Sequence, residues 1–432
     1  MCHKRSIFKR AMPGNKSKNS FYFYLIFSLG CLASLLFMLS MKIRPDQWQL
    51  LSKALLFAQD NIFSHVGNKA TSTGYVPGTL STLIVGFPLK LGLNVYYPTA
   101  LVFLSQLFAF FIFDSILKKF GKNARLLFAL FFWLNPWRAS NTILWNPCYL
   151  FFASAVFFQA TWKIRNSKNF FYSMIIPVSI AFAAQLHNSA IILAFLAMIL
   201  YFKSKIKVSY PGLTLGICLS VLSFLPYLIF IKSNPSFGAA NLENDAFWGK
   251  GALYVYPLIK SISYWGRYPS LYTSKNLHEY IAFSWIDVPT IKAFFHWTYH
   301  LLKWPLSIGS LVFAFFANYQ YFKTPKNSQD EKWIFSFSLY AFIATLIAAG
   351  LSPIEFSHWH FFIVYAFSIF PVALYLEKIN FLKNFKQAYK ILTALIIWMM
   401  LQNIFGAMES RKHNFNASPQ ETFLKDMNTR EN

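Results

Sequence analysis

The sequence predicts an all-α polytopic membrane protein with about eleven transmembrane helices. Three observations carry that expectation. The 432 residues are 56% hydrophobic and 20% aromatic, with 50 Phe, and the mean hydropathy is +0.40, well above soluble averages. Apolar runs on the ~20-residue scale of a bilayer span recur along the chain. The net charge of +25 comes from 40 Lys+Arg against 15 Asp+Glu, and the basic residues fall in short clusters between apolar runs, as the positive-inside rule requires. That placement excludes a nucleic-acid partner; the lipid bilayer is the expected one.

The runs lie near 21–41, 95–117, 124–136, 147–162, 169–186, 188–202, 210–231, 298–321, 333–351, 359–376 and 389–408. Residues 1–20 are basic and read as a cytoplasmic N-terminal segment. The run after them is too long for a signal-peptide core and lacks a small-x-small cleavage site, so it reads as a retained first helix. With the N-terminus inside, the segments 1–20, 118–125, 163–168, 203–207, 323–332 and 378–390 hold 23 of the 40 Lys+Arg. The 21–408 region reads as one membrane domain with two long outer loops, 43–94 and 232–297, followed by a polar 409–432 segment expected to be a flexible outer tail. The four cysteines, Cys2, Cys31, Cys148 and Cys218, show no C-x-x-C spacing and point to neither a disulfide framework nor a metal site.

The first outer loop starts with Arg44-Pro45-Asp46-Gln47-Trp48, where Asp46 is the first acidic residue of the chain. Trp48 to Phe57 repeats apolar residues at roughly helical spacing, and after Gly74-Tyr75-Val76-Pro77-Gly78 a second apolar piece covers 79–90. This predicts interfacial helices flanking a turn. Asp46 reads as a general base, or as a helix N-cap. Asp114 lies inside an apolar run, and Lys118 one turn away is its expected partner.

Further polar groups fall at the outer ends of spans. Arg138, in Asn135-Pro136-Trp137-Arg138, suits a phosphate or serves as an interfacial anchor. His187, in Gln185-Leu186-His187-Asn188-Ser189, lines a cavity or a simple turn. His358 and His360, in Glu355-Phe356-Ser357-His358-Trp359-His360, favour hydrogen bonding to a phosphate or sugar over metal ligation. Arg267 lies in the aromatic stretch Tyr264-Trp265-Gly266-Arg267-Tyr268-Pro269. The chain has no P-loop, G-x-G-x-x-G, H-E-x-x-H or G-x-S-x-G.

A first helix, an outer acid directly after it, an interfacial loop ending in a Gly/Pro turn, about eleven spans and a late His-bearing motif resemble the GT-C membrane glycosyltransferases. The likeness is to family 39, which includes the dolichyl-phosphate-mannose protein mannosyltransferases and the bacterial lipid A aminoarabinose transferases. Arg44-Pro45-Asp46-Gln47-Trp48 sits where the family has an Asp-Glu pair, with Gln47 in place of Glu. Tyr75-Val76-Pro77-Gly78 sits at its Pro-rich turn, and Ser357-His358-Trp359-His360 where many members have Arg-Tyr.

The resemblance implies an inverting transferase in a bacterial inner membrane, working on the periplasmic face. It would move a sugar from a polyprenyl-phosphate carrier to a lipid, glycan or protein acceptor. It implies Asp46 as base, alone or with Asp60, Glu243, Asp245 or Glu279, and Arg138, Arg267 and His358 as cations for the departing phosphate. No cofactor is required by this reading, and a divalent ion stays open. The rival classes are a flippase of lipid-linked sugars and an O-antigen-type polymerase; the chain shows none of the internal repeats common in transporters.

Overall fold

The computed structural model describes residues 14–70, 74–234, 255–273, 275–278, 281–352, 356–416 and 418–431. Each of the eleven apolar runs forms helix. α1 (Gly14–Leu39), α2 (Pro45–Asp60), α3 (Leu80–Lys90), α4 (Tyr96–Leu117), α5 (Lys122–Phe128) and the one-turn α6 (Pro136–Ala139) form the first part. α7 (Leu150–Lys163), α8 (Phe170–Ala184), α9 (Ile191–Phe202) and α10 (Tyr210–Ser233) follow. After them come α11 (Tyr256–Arg267), α12 (Pro289–Lys323), α13 (Gln329–Gly350), α14 (Tyr365–Lys378), α15 (Ala388–Met408) and α16 (Pro419–Glu431).

Among the described residues, seven helical segments are long and apolar enough to cross a membrane, joined by shorter apolar helices. With no water in the hydrocarbon layer, helices are the way this chain satisfies its own backbone groups there. α5 continues directly into a π-helical turn, Ala129–Leu134, so the expected span at 124–136 is a composite of two helix types.

The chain's own residues set the helix starts. Ser328 and Glu331 form a reciprocal capping box on α13, with Glu331 N–H donating to Ser328 Oγ at 3.1 Å. Pro45 opens α2 at a position where its missing N–H is harmless. Arg44, not Asp46, is the N-cap of α2; Asp46 falls within the first turn, where the helix dipole favours a carboxylate. Between α2 and α3 the loop forms a short antiparallel hairpin, β1 (Val66–Ala70) and β2 (Gly74–Pro77), paired Val66 to Pro77 and Ala70 to Gly74. α2 and α3 pack on each other, so helix is present on both sides of the expected turn, with a hairpin between them.

Asp114 pairs with Arg125 rather than Lys118, Nε to Oδ1 at 2.6 Å and Nη2 to Oδ2 at 2.8 Å. The reversal at Gly121 (φ +143°) folds α5 back along α4 and delivers the guanidinium. That end of the bundle also joins Arg165 to Asp330 (2.9 Å), Trp333 Nε1 to Lys205 O (2.8 Å) and Ala124 N to Glu377 (2.7 Å). The basic connections are gathered there.

The 409–431 segment, expected as a flexible tail, packs on the opposite end. Phe423 is buried against Trp48, and Gln420 bonds to Val95 N and Leu93 O, both at 2.9 Å. Its buried aromatic and main-chain partners hold it there despite a polar composition.

α8 and α10 meet through glycines. A Cβ at Gly216 would strike the Met174 carbonyl and the Pro177 ring, whereas one at Gly309 would meet nothing. Gly216→Leu is therefore expected to lower stability by about 1–3 kcal/mol through overpacking, while Gly309→Ala leaves it unchanged or raised. Thermal denaturation in detergent, followed by size-exclusion chromatography, checks the contrast.

Candidate functional site

The end opposite the basic connections holds a cavity of about 470 Å³, within the range of small-ligand sites. α11 supplies one wall through Tyr256, Lys260, Ser263, Tyr264 and Arg267, which recur at helical spacing on one face. α12 supplies Lys303, Trp304 and Ser307. Tyr272, Thr273 and Lys275 follow α11, and Trp137 and His358 close the wall. Among the described residues of the lining, four are Lys or Arg and none carries a carboxylate.

Aromatic rings flank three of these cations. The Arg267 guanidinium lies 4.3 Å from the Tyr272 ring centroid, 4.8 Å from Tyr264 and 5.5 Å from Trp137. Lys260 Nζ sits 4.6 Å from the Tyr256 ring and Lys303 Nζ 4.8 Å from Trp304. Such contacts stabilise a cation without neutralising its field.

Arg267 Nη2 donates to Thr273 O at 3.3 Å, while Arg267 Nε and Thr273 Oγ1 are buried with no hydrogen-bond partner among the described residues. Buried donors in that state ask for a ligand. Burial lowers the pKa of Lys260 from its ordinary value. Burial also raises that of Tyr264, with Arg267 opposing the shift.

The loop after the π turn fixes this wall. Asn135 Nδ2 donates to Tyr268 O (3.1 Å), Trp137 Nε1 to Tyr272 O (2.9 Å), and Tyr268 Oη to His358 O (2.6 Å). The arrangement suits an anion that also carries an apolar or sugar face.

The structure brings Arg267 and His358 together in the cavity; Asp46, Arg138, His187 and His360 are not among its lining residues. Arg138 is fully buried. Its guanidinium donates to Ser34 Oγ (2.6 Å), Gln106 Oε1 (3.3 Å), Gly30 O (3.4 Å) and Trp133 O, and stacks 3.9 Å from the Trp133 ring. That environment leaves it no opening toward the cavity, so it is a core residue. Among the described residues, no carboxylate pairs with it.

His187 and His360 form a separate edge-to-face pair, 4.8 Å between ring centroids. Each Nδ1 accepts a backbone N–H, from Ser189 (3.2 Å) and Ser357 (2.9 Å), and neither residue lines the cavity. Asp46 is exposed, and its carbonyl accepts from Asn68 Nδ2 at 3.0 Å; its carboxylate acts on Lys412. Glu243, Asp245, Glu279 and Glu355 lie outside the described residues, and Asp60 ends α2 on the surface.

Sequence reasoning missed Lys260, Lys275, Lys303 and Lys412. Lys303 had a signal, because a lysine inside the apolar run 298–321 is expensive unless it faces a cavity. Lys260 had one in the helical spacing that it shares with Tyr264 and Arg267.

No protein-family model and no curated protein matches the chain. Among solved structures the fold is similar to that of ArnT. For ArnT from Cupriavidus metallidurans bound to undecaprenyl phosphate, the TM-score is 0.51 at 10% identity, over 89% of this chain and 63% of that one. The chain thus spans less than two thirds of the length of that ArnT. The apo form of ArnT gives a TM-score of 0.47 at 12% identity, over 91% of this chain and 76% of that one. The archaeal oligosaccharyltransferase AglB from Archaeoglobus fulgidus, in complex with an inhibitory peptide and a dolichol-phosphate, gives 0.43 at 11% identity, over 90% of this chain and 56% of that one. The ArnT likeness covers most of the present chain and is one of fold alone.

The separation of Arg138 from Arg267 predicts opposite variant behaviour. Arg138→Leu leaves buried oxygens without a donor, at about 1–3 kcal/mol each. Arg267→Leu should change stability by about 1 kcal/mol or less. Equal losses of thermal stability in the two variants would contradict the assignment of one to the core and the other to the cavity.

Proposed function

We propose that the protein is a membrane glycosyltransferase that takes a sugar from a polyprenyl-phosphate carrier and passes it to an acceptor hydroxyl. The observation that carries this reading is the cavity whose described lining brings Lys260, Arg267, Lys275 and Lys303 together with Trp137, Tyr264, Tyr272 and Trp304. A phosphate monoester or diester needs cations, and a sugar ring needs flat apolar faces to stack on. The similarity of fold to a protein crystallised with undecaprenyl phosphate supports the same class of donor.

In this proposal Arg267, Lys260 and Lys303 hold the donor phosphate, and the buried Arg267 Nε and Thr273 Oγ1 gain an oxygen acceptor and a hydroxyl partner. The acceptor oxygen attacks the anomeric carbon as its proton passes to the Asp46 carboxylate. The bond from that carbon to the phosphate oxygen breaks, and its electron pair leaves on the phosphate. The cations stabilise this growing charge more than the bound ester, which is where they accelerate the step. Attack opposite to the leaving group inverts the anomeric carbon. Asp46 belongs to α2, and its first-turn position and exposure leave it open to an acceptor arriving from outside the bundle.

The test is transfer of label from radiolabelled polyprenyl-phosphate sugars to a lipid extract by the purified full chain in lipid vesicles. Asp46→Asn is expected to slow transfer by a factor of about 100 or more while keeping donor binding. Arg267→Ala is expected to raise the donor KM by a factor of about 10 or more, from the loss of a charged hydrogen-bond donor. Wild-type protein that moves label across the bilayer without attaching it to any acceptor would replace this reading with a flippase.

A further inference from the structure

The 409–416 segment is stitched to the end of α1 on both sides of Lys412. Lys42 N–H donates to Lys412 O (2.9 Å), Asn414 N–H to Ser40 O (2.7 Å), and Lys42 Nζ to Ser410 O (3.0 Å). Met41 and His413 form an antiparallel bridge. The His413 ring is buried, with Nε2 3.1 Å from Ser140 O and Nδ1 3.4 Å from Ser40 Oγ. Burial pushes His413 down to about 3, so it is a neutral peg through the physiological range.

These anchors leave the Lys412 side chain half-buried, with Nζ 3.5 Å from the Trp145 ring centroid. It shares a crevice with Ser140, Asn141 and His358, and His358 is also a wall of the cation cavity. The charged and titratable groups acting on it are Cys148 of the 146–149 turn, Asp46 and Arg44 of the α2 start, and Arg411 of its own segment. Among the described residues no carboxylate comes within ion-pair distance of it.

Lys412 therefore shares a crevice with His358, a wall of the cavity proposed for the donor phosphate, and feels the charge of the carboxylate proposed as base. Covering a lysine in this way, with an indole below and no ion-paired acid, is unfavourable unless an anion reaches it. A lysine needed only as an anchor would extend its ammonium to water.

We propose that Lys412 is a substrate-binding residue, delivered to the site by the 409–416 segment, whose ammonium binds an oxygen of the lipid-linked donor's phosphate in the crevice beside His358. This inference rests on the transferase reading above. It adds a contact from a stretch that lies beyond the last membrane helix, and it assigns that stretch the task of completing the site. Burial pushes the Lys412 ammonium down to about 8, with Cys148 and Asp46 pulling the other way. The contact is accordingly present below that pH and fades as pH rises through it, since the neutral amine offers no charge to a phosphate.

Binding of tritiated undecaprenyl phosphate to the full chain in detergent, from pH 6.5 to 9.5, tests the inference. Wild type should bind and weaken above about pH 8. Lys412→Met should bind about 10-fold more weakly at pH 7, the value for one charge-assisted hydrogen bond. Lys412→Arg should bind at pH 7 and weaken less than wild type up to pH 9.5, because its guanidinium stays charged while Lys260, also lowered by burial, still titrates. Lys383→Met, on the opposite end, serves as the control for loss of any positive charge.

A Lys412→Met protein that melts like wild type and binds as tightly overturns the inference and leaves the transferase reading in place. If Lys412→Met does not fold, the arginine variant decides, and an unchanged weakening near pH 8 in it overturns the inference. Absence of binding to wild type overturns both readings.

Discussion

The buried guanidinium of Arg138 is the constraint on which the rest of this end of the molecule depends. It reaches carbonyls or side chains of α1 (Gly30, Ser34), of α4 (Gln106) and of the π turn (Trp133), so three elements share one donor group. In a low-dielectric core such a network is strong when satisfied and costly when broken. Gln106, held in turn, donates to Asn141 O and accepts from Thr142 Oγ1. The loop between these residues carries Trp137, which stacks near Arg267 and bonds to Tyr272. The position of the cavity wall thus follows from a charge that itself never meets a ligand.

The cavity stands out against the charge pattern of the whole chain. Basic residues gather on the far end, as expected for the inner side of a membrane protein, yet Lys260, Arg267, Lys275, Lys303 and Lys412 cluster at the other end. Pairing them with acids would hold them in place and cancel their potential. Rings beside Lys260, Arg267, Lys303 and Lys412 help to hold these cations while leaving their charge in place. A site of this kind recruits anions, and its low-dielectric walls strengthen each contact.

The two segments outside the main bundle are linked rather than independent. α2 opens with Pro45 and Asp46 and packs on α3, and Lys53 on its length donates to Val66 O (3.3 Å) and Gly67 O of the hairpin. The 409–431 segment lies across the same region, through Phe423 on Trp48 and the main-chain bonds at Lys42 and Ser40. Asp46 and Lys412 are brought near each other by this crossing, from opposite ends of the sequence.

The sequence by itself determined the helical membrane architecture, the eleven helical runs, the grouping of basic connections and the two helices that follow α1. These follow from local composition, because a bilayer admits few backbone solutions and hydropathy reads them directly. It also singled out Arg267 and His358, through polar residues set among aromatics. Only the tertiary structure decided that Arg138 lies in the core, that Asp114 meets Arg125, that His187 pairs with His360, and that Lys303 lines the cavity and Lys412 the crevice beside His358. The physical reason is common to all four: a charge or ring on a helix end has several directions open to it, and which one it takes depends on a neighbour hundreds of residues away or across a tight reversal such as Gly121.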